Sequence, residues 1–485
     1  MFFGAGNGVV ALALAGCAQR HVTNMPAPAR KMDAGMRDAV VWQYDVRVLP
    51  PGARDLSVEA RFAPGGGDTL EVDEQAAPFV RDVVYATGER WIAAPGSGAS
   101  WTVPCQRDGC HVRYRFALRE AAERLADAET AIASGDVISA PPSTWLVHNQ
   151  VDGGRYRLHV TAEAPSRFAI AIASASDGAA DTFESTTNDL EGAGFAVFGP
   201  FERVPLEVGG ARVDVVVAPL GLPLSSAEVG TWVRTAVSGI AAYLGKFPAP
   251  RTLVVVQAGH PGSPTRGVTL GDGGPAVLVR AGTDADSAAK TRDDWVMTHE
   301  LLHVSMPSLT RDHSWLSEGM ATYVEPIVRA RQGLVTPEAF WHDVVEGVPQ
   351  GLPEAGDQGI ERTHTWGRTY WGGALFLLVA DVAIREQTKN ARSLDDALRG
   401  IVATGADVED HWTIERFLEV GDRATGTRVL EDLYKAWAFA PQGVDLPALW
   451  QKLGVRIVAR GQAGFDDTAP LAGIRQSITS ASRVP

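Results

Sequence analysis

The sequence lacks three features that would each point to a class of protein. It has no apolar run of about 20 residues, the length that a membrane-spanning helix needs. It has only three cysteines, and no second Cys pair that would complete a cysteine-based zinc site. It also lacks an excess of basic residues, since 44 Lys and Arg face 58 Asp and Glu, for a net charge of -14. Such an acidic surface repels phosphate backbones, so nucleic acid is not an expected partner.

The overall composition is that of a globular protein. Hydrophobic residues make up 45% and charged residues 21% of the 485 positions, and we find no internal repeat and no low-complexity block. A chain of this length suits about three domains of roughly 150 residues each.

The N-terminus carries a short apolar segment, residues 8–16, directly before Cys17. It is too short to span a bilayer and is typical of the apolar region of a secretory signal. Leu14-Ala-Gly-Cys17 resembles a bacterial lipobox, in which the cysteine is lipidated. We therefore expect a lipoprotein-type signal over 1–17 and a periplasm-facing protein anchored by lipid at the bacterial cell envelope. No Lys or Arg precedes Cys17, and a leader with an incidental cysteine stays open as the alternative.

The other two cysteines, Cys105 and Cys110, flank an Asp108-Gly109 turn signal between strand-like segments. In an exported protein such a pair is expected to form a disulfide. Zinc binding is the alternative, although His111 alone would not complete a ligand set.

Hydrophobic periodicity divides the remaining chain. After a tether over 18–40, short alternating segments over 41–222 predict an antiparallel β-sandwich domain, interrupted at 117–133 by a helix or an ordered loop. Helical spacing dominates 223–425, and two helix candidates fall in a small helical segment over 426–485. The predicted fold class is therefore multidomain α+β, with a β domain followed by a mostly α-helical domain.

The chemistry is concentrated in one short motif, His299-Glu-Leu-Leu-His303, which has the pattern H-E-x-x-H. On a helix, positions i and i+4 share a face, so both imidazoles can bind one ion, with Glu300 beside a water activated by that ion. Two neutral imidazoles and a carboxylate suit Zn²⁺ and leave a position open for water. A pair of histidines in ordinary helical contact is the alternative reading.

A second helix is expected to supply the third ligand, Glu318, from Trp315-Leu-Ser-Glu-Gly-Met-Ala-Thr-Tyr-Val-Glu325. Pro307 can end the first helix, and Asp312 or Ser314 can cap the second. The alternative for Glu318 is an exposed carboxylate favoured by the helix dipole. Glu325 lies two turns further along, where a hydrogen bond to a ligating histidine and a solvated carboxylate are both open.

The H-E-x-x-H motif followed by W-L-x-E-G resembles the gluzincin signature of the large zinc aminopeptidases and the glycyl aminopeptidase family. The resemblance covers residues 225–425 and implies a thermolysin-like zinc peptidase domain. Fourteen residues, 304–317, separate the second histidine from Glu318, where the large aminopeptidases have eighteen. Tyr370-Trp-Gly-Gly-Ala-Leu-Phe-Leu-Leu378 is similar to the families' Y-x-K-G-A-x-x-L run, with Gly372 in place of the lysine. The resemblance implies that Tyr370 donates a hydrogen bond to the oxyanion.

One departure limits the resemblance. The strand that should carry the amine-binding glutamate of aminopeptidases reads Arg266-Gly-Val-Thr-Leu-Gly-Asp-Gly273, and Asp272 is more typical of a turn residue. The sequence therefore predicts zinc-dependent hydrolysis of peptide or protein substrates, by an aminopeptidase-like enzyme or an endopeptidase. A catalytically inactive binding module and a zinc hydrolase of a non-peptide bond are the alternatives.

Overall fold

The computed structural model describes residues 39–50, 53–151, 153–260, 264–282, 295–459 and 462–480. The predicted signal, Cys17 and all but the last two residues of the predicted tether lie outside these ranges. Within them there is no helix both long and apolar enough to cross a membrane.

The N-terminal half consists mainly of strands whose inward side chains alternate with outward ones, as a half-buried sheet requires. The strands are β1 Val40–Leu49, β2 Asp55–Phe62, β3 Thr69–Glu71, β4 Val80–Thr87, β5 Arg90–Ala93, β6 Gly96–Ser97, β7 Ser100–Thr102, β8 Cys110–Phe116, β9 Ile132–Ser134, β10 Val137–Ala140, β11 Arg155–Ala162, β12 Arg167–Ile170, β13 Thr182–Thr186 and β14 Ala196–Gly199. Two short helices interrupt them, α1 Leu118–Leu125 and α2 Pro142–Trp145.

These strands form a seven-stranded sheet in the order β13-β11-β1-β2-β8-β4-β5, a four-stranded sheet in the order β12-β14-β10-β9, and a small sheet, β3-β7-β6. The prediction of purely antiparallel pairing is wrong at one place, because β1 and β11 run parallel. About a hundred residues separate these two strands, and a long crossover of this kind permits parallel pairing where a hairpin does not. A disulfide joins Cys105 to Cys110, at the start of β8.

A third large sheet follows, with five strands in the order β15-β16-β17-β19-β18. Its strands are β15 Glu202–Val208, β16 Ala211–Val217, β17 Arg251–Ala258, β18 Arg266–Leu270 and β19 Ala276–Ala281. The expected boundary at residue 222 falls between strands that share this sheet, since β16 pairs with β17 across it. Both β15 and β16 lie in the segment of short alternating patterns, but alternation carries no information on which strands pair.

The sheets and helices stack in layers, which is visible in the four-stranded sheet. Its Ile138 and Phe198 belong to the core shared with the seven-stranded sheet. The adjacent residues Val137 and Val197 belong to the core shared with the five-stranded sheet. Because successive strand residues point to opposite faces, this sheet lies between the other two. The helices cover the remaining face of the five-stranded sheet.

The C-terminal half is mostly helical, and the described residues of the whole chain include twelve α-helices. Those of this half are α3 Ser226–Leu244, α4 Val296–Val304, α5 Ser314–Arg331, α6 Pro337–Gly347, α7 Gly373–Gln387, α8 Leu394–Ala403, α9 Ile414–Thr425, α10 Val429–Trp437, α11 Leu446–Leu453 and α12 Ala472–Thr479. A hairpin, β20 Val455–Ala459 and β21 Gln462–Phe465, lies within the segment predicted to be helical. That segment packs into the same core as α4, α5 and α7.

Candidate metal centre and active site

Helix α4 carries the H-E-x-x-H motif in a fully buried position. His299, Glu300 and His303 are 1%, 0% and 2% exposed. One face of α4 packs into the helical core through Leu301 and Leu302, and β18 of the five-stranded sheet packs against the helix. The motif therefore lies between the edge strand of the sheet and the helices.

Glu318, in the second turn of α5, meets both histidines. Its Oε2 lies 3.3 Å from His299 Nε2 and 3.5 Å from His303 Nε2. Ligand atoms of the three side chains all lie within 4.8 Å of one another, and all three residues are buried. We call His299, His303 and Glu318 the metal-binding cluster. The predicted alternative of an exposed Glu318 carboxylate is wrong, because this residue is only 4% exposed.

The turn between α4 and α5 is fixed by contacts outside it. Helix α4 ends at Val304, three residues before Pro307. The next loop is held at Ser308, whose N–H donates to the carbonyl of Asp410 at 2.8 Å and whose carbonyl accepts from the N–H of Trp412 at 2.9 Å. These contacts tie the loop between α4 and α5 to the segment around residue 411.

The start of α5 is held by a buried carboxylate rather than by the predicted Asp312 or Ser314 cap. No side chain caps the helix. Instead Trp315 Nε1 donates to Glu361 at 3.0 Å, and His313 Nδ1 lies 2.9 Å from the same carboxylate. Glu361 comes from a loop about 45 residues away, so the local sequence carried no signal for it.

Two observations indicate that the cluster fits a cation. Burial alone would raise the pKa of Glu318, but the charges of His303 and His299 and the hydrogen bond from His299 outweigh it and lower the pKa to about 2, so the carboxylate stays ionised. His303 Nε2 is buried and has no hydrogen-bond partner among the described residues, since 3.5 Å from Glu318 is too long. A buried nitrogen without a partner is costly, and a metal ion is the partner that this donor set suits.

The other nitrogen of His303 has a fixed role. Its Nδ1 lies 3.1 Å from Ser317 Oγ, on the residue before Glu318. A hydrogen bond at one ring nitrogen orients the imidazole and selects the tautomer that presents the other nitrogen to a metal. Ser317 is a site residue that the sequence analysis missed.

Glu300 is held beside the cluster by the edge strand. Thr269 Oγ1 donates to Glu300 Oε2 at 2.7 Å. A methyl group on Gly267 would lie only 2.3 Å from the Glu300 side chain. The segment that lacks the amine-binding glutamate therefore contacts the carboxylate of the H-E-x-x-H motif.

Tyr370 lies in a π-helical turn, Arg368–Gly372, immediately before α7. Helix α7 crosses α5 at very close range, because a methyl group on Gly319 would lie 2.3 Å from the backbone of Gly373. Tyr370 lies three residues before Gly373 and Glu318 lies directly before Gly319, so both residues are close in sequence to this crossing. Tyr370 is 6% exposed, and its ring stacks on that of Trp366, with 5.6 Å between the ring centroids. Single π-helical turns occur often at functional sites.

Glu325 is 6% exposed and accepts a hydrogen bond from Arg329 Nη1 at 3.1 Å. The alternative of a solvated carboxylate is therefore wrong, whereas a hydrogen bond to a ligating histidine stays a prediction.

Asp272 lies in the loop after β18. Its Oδ1 is 2.9 Å from His411 Nε2, and its backbone N–H donates to the carbonyl of Gly192. It is a loop residue, as its position between glycines indicated.

A cluster of two histidines and one glutamate from adjacent helices, with a buried glutamate beside it and an edge strand above it, is the arrangement of a thermolysin-like zinc metallopeptidase fold. Solved structures match most of the chain. An aminopeptidase N family protein from Idiomarina loihiensis matches with a TM-score of 0.67 at 12% identity, over 85% of this chain and 78% of that one. A mutant M1 zinc metallopeptidase from Deinococcus radiodurans, bound to a Tyr-Ser-Ala substrate, matches with a TM-score of 0.51 at 16% identity.

The second match covers 84% of this chain and 96% of that one. The chain thus has the fold of M1 zinc metallopeptidases, and an identity of 12–16% shows the fold alone. No protein-family model matches the sequence, and no curated protein matches it.

Proposed function

We propose that this chain is a zinc-dependent peptidase. The observation that carries the proposal is the metal-binding cluster, three buried ligand atoms within 4.8 Å of one another, directly beside the carboxylate of Glu300. His299, His303 and Glu318 would hold the ion. When bound, Zn²⁺ supplies Lewis acidity toward a water molecule and a substrate carbonyl.

The protein side chains account for the proton transfers. Glu300 takes a proton from the attacking water and later delivers it to the leaving amine, which is general base and then general acid catalysis. Tyr370 donates a hydrogen bond from its phenolic hydroxyl to the oxyanion of the tetrahedral intermediate. The buried position of the site excludes bulk water and strengthens these interactions.

The proposed substrates are peptides and proteins. The Deinococcus radiodurans metallopeptidase of the same fold binds Tyr-Ser-Ala. The proposal covers peptide bonds in general rather than N-terminal residues alone, because none of the residues of β18, Arg266–Leu270, offers a carboxylate for a free α-amine. A free-amine peptide and its N-acetylated form, compared as substrates, separate an aminopeptidase from an endopeptidase.

The proposed location is the bacterial cell envelope, where the protein would be anchored by lipid and face the periplasm. It rests on the apolar segment over 8–16 and the lipobox-like end at Cys17. Labelling of the expressed protein with a fatty acid, and loss of the label in Cys17→Ala, would support the anchor. An unlabelled protein of full length would contradict it.

The function is tested by measuring bound zinc together with cleavage of a mixed peptide library. We expect one zinc per chain and cleavage that a chelator abolishes and zinc restores. Glu300→Gln should keep the zinc and lose about 100- to 10,000-fold in kcat, the usual contribution of a general base.

The same experiment discriminates the alternatives. Zinc without any hydrolysis would indicate a binding module, and zinc with turnover of a non-peptide ester or epoxide alone would indicate another hydrolase. Peptide cleavage by Glu300→Gln at the normal rate would contradict the role of this residue.

A further inference from the structure

The edge strand β18 has two different faces. Val268 and Leu270 pack toward the β domain, in the core beneath the five-stranded sheet. Gly267 and Thr269 alternate with them and therefore face α4. One face of the strand therefore packs in the hydrophobic core, and the other face contacts Glu300.

Thr269 makes the polar contact on that side. Its Oγ1 lies 2.7 Å from Glu300 Oε2 and 3.2 Å from the Glu300 carbonyl oxygen. A threonine hydroxyl has a single hydrogen, so the shorter, charge-assisted bond to the carboxylate takes it. Thr269 is 4% exposed and Glu300 is 0% exposed, so water does not compete for this bond.

Gly267 makes the contact possible. A Cβ at this position would lie 2.3 Å from Glu300 Cγ and 2.5 Å from Oε1. Real Cβ atoms do not approach other heavy atoms this closely. The glycine therefore leaves room for the glutamate to lie against the strand, where the next residue of the same face can reach it.

We infer that Thr269 is a positioning residue for Glu300. The inference rests on the proposed function, because it assigns a role in the reaction of the same site. The last torsion of a glutamate side chain is broad, so an unrestrained carboxylate samples many rotations. The hydrogen bond from Thr269 fixes that rotation and presents the carboxylate in the geometry that proton transfer requires.

Thr269→Val tests this role, because valine has nearly the same shape and lacks the hydroxyl. We expect kcat to fall by about 10- to 100-fold, the range associated with misplacing a catalytic group. KM and the zinc content should stay at the wild-type values, since neither the ligands nor the substrate contacts change. Thr269→Ser, which keeps the hydroxyl, should recover most of kcat.

Thr252→Val is a matched control on strand β17 of the same sheet. Thr252 is also 4% exposed, and its Oγ1 has no hydrogen-bond partner among the described residues. This change should leave kcat, KM and zinc content unaltered. A crystal structure of Thr269→Val should further show the Glu300 carboxylate rotated or in more than one conformer.

Three results would overturn the inference while the proposed function stood: wild-type kcat in Thr269→Val, a loss of zinc in parallel with activity, or an unmoved single conformer of Glu300. A wild-type enzyme without chelator-sensitive peptide cleavage would instead reject the proposed function, and this role with it.

Discussion

Two buried polar clusters each take one residue from α5, Glu318 near its start and Arg331 at its end. Their other members come from neighbouring helices, and the two clusters differ in how their charges are satisfied. The metal-binding cluster brings one carboxylate and two imidazoles together without supplying a full set of partners. His303 Nε2 is left with none among the described residues. A cation bound between these side chains would supply the missing partner.

The second cluster is closed within the protein. We call it the charged cluster, and its members are Arg331, Asp381, Arg385 and Asp395. Arg331 Nη1 donates to Asp395 at 2.7 Å, and Arg385 Nε donates to Asp381 at 2.9 Å. The cluster joins the end of α5 to α7 and α8.

Every charge in the charged cluster has further partners. Asp381 also accepts from the hydroxyl of Tyr323 at 3.1 Å and from the N–H of Leu394 at 2.8 Å. Arg331 also donates to the carbonyl of Ile478 in α12 at 2.9 Å. Two positive and two negative charges balance, so burial requires no outside ligand. Buried charged groups therefore indicate a ligand site only where one of their polar atoms has no hydrogen-bond or ion-pair partner within the protein.

The largest effect is expected from breaking the metal-binding cluster. Glu318→Gln keeps the shape of the side chain and removes its charge, so zinc should be lost and kcat should fall by at least about a thousandfold. The fold should persist, because the helical core around α5 is unchanged. Zinc analysis and circular dichroism check both expectations, and a variant that retained stoichiometric zinc would contradict the ligand assignment.

Breaking the charged cluster should give the reverse result. Asp395→Asn leaves the Arg331 guanidinium buried without its carboxylate, and breaking such a pair costs about 3–5 kcal/mol of unfolding free energy. Zinc content and the kcat of the folded fraction should be unchanged. Urea unfolding measures the cost.

Asp432→Asn is the control for that change. Asp432 is exposed and lies 3.9 Å from Lys435, and exposed pairs contribute at most about 1 kcal/mol. Equal destabilisation by the two substitutions would show that the charged cluster has no special structural role.

The smallest effects are expected from removing either of two buried tyrosine hydroxyls, one expected to act in catalysis and the other in stability. Tyr370→Phe should lower kcat by about 100- to 1,000-fold, the usual cost of losing one oxyanion donor, with little change in stability. Tyr323→Phe removes a donor to Asp381 instead, and should cost about 1–3 kcal/mol of stability at constant kcat. Equal kcat values for the two variants would show that the Tyr370 hydroxyl has no role in the reaction.

The sequence predicted the parts of the site that depend on local periodicity. The spacing of His299 and His303 is a property of one helix, and the W-L-x-E-G segment placed Glu318 on a second. The helical spacing that begins at residue 223 corresponds at its start to α3, Ser226–Leu244.

The contacts that the sequence did not predict are those between distant segments. Thr269 reaches Glu300 across about 30 residues, and Glu361 holds Trp315 across about 45. No periodicity encodes such pairs. One signal was available for the crossing of α5 and α7: glycines at 319 and 373 stand in otherwise good helical patterns, which is typical of close backbone approach.

Anomalous diffraction at the zinc absorption edge, on crystals of the zinc-loaded protein, locates the metal without reference to activity. We expect a single strong peak within about 2.0–2.2 Å of His299 Nε2, His303 Nε2 and a Glu318 oxygen. A zinc peak elsewhere, or no peak between these three side chains, would contradict this expectation.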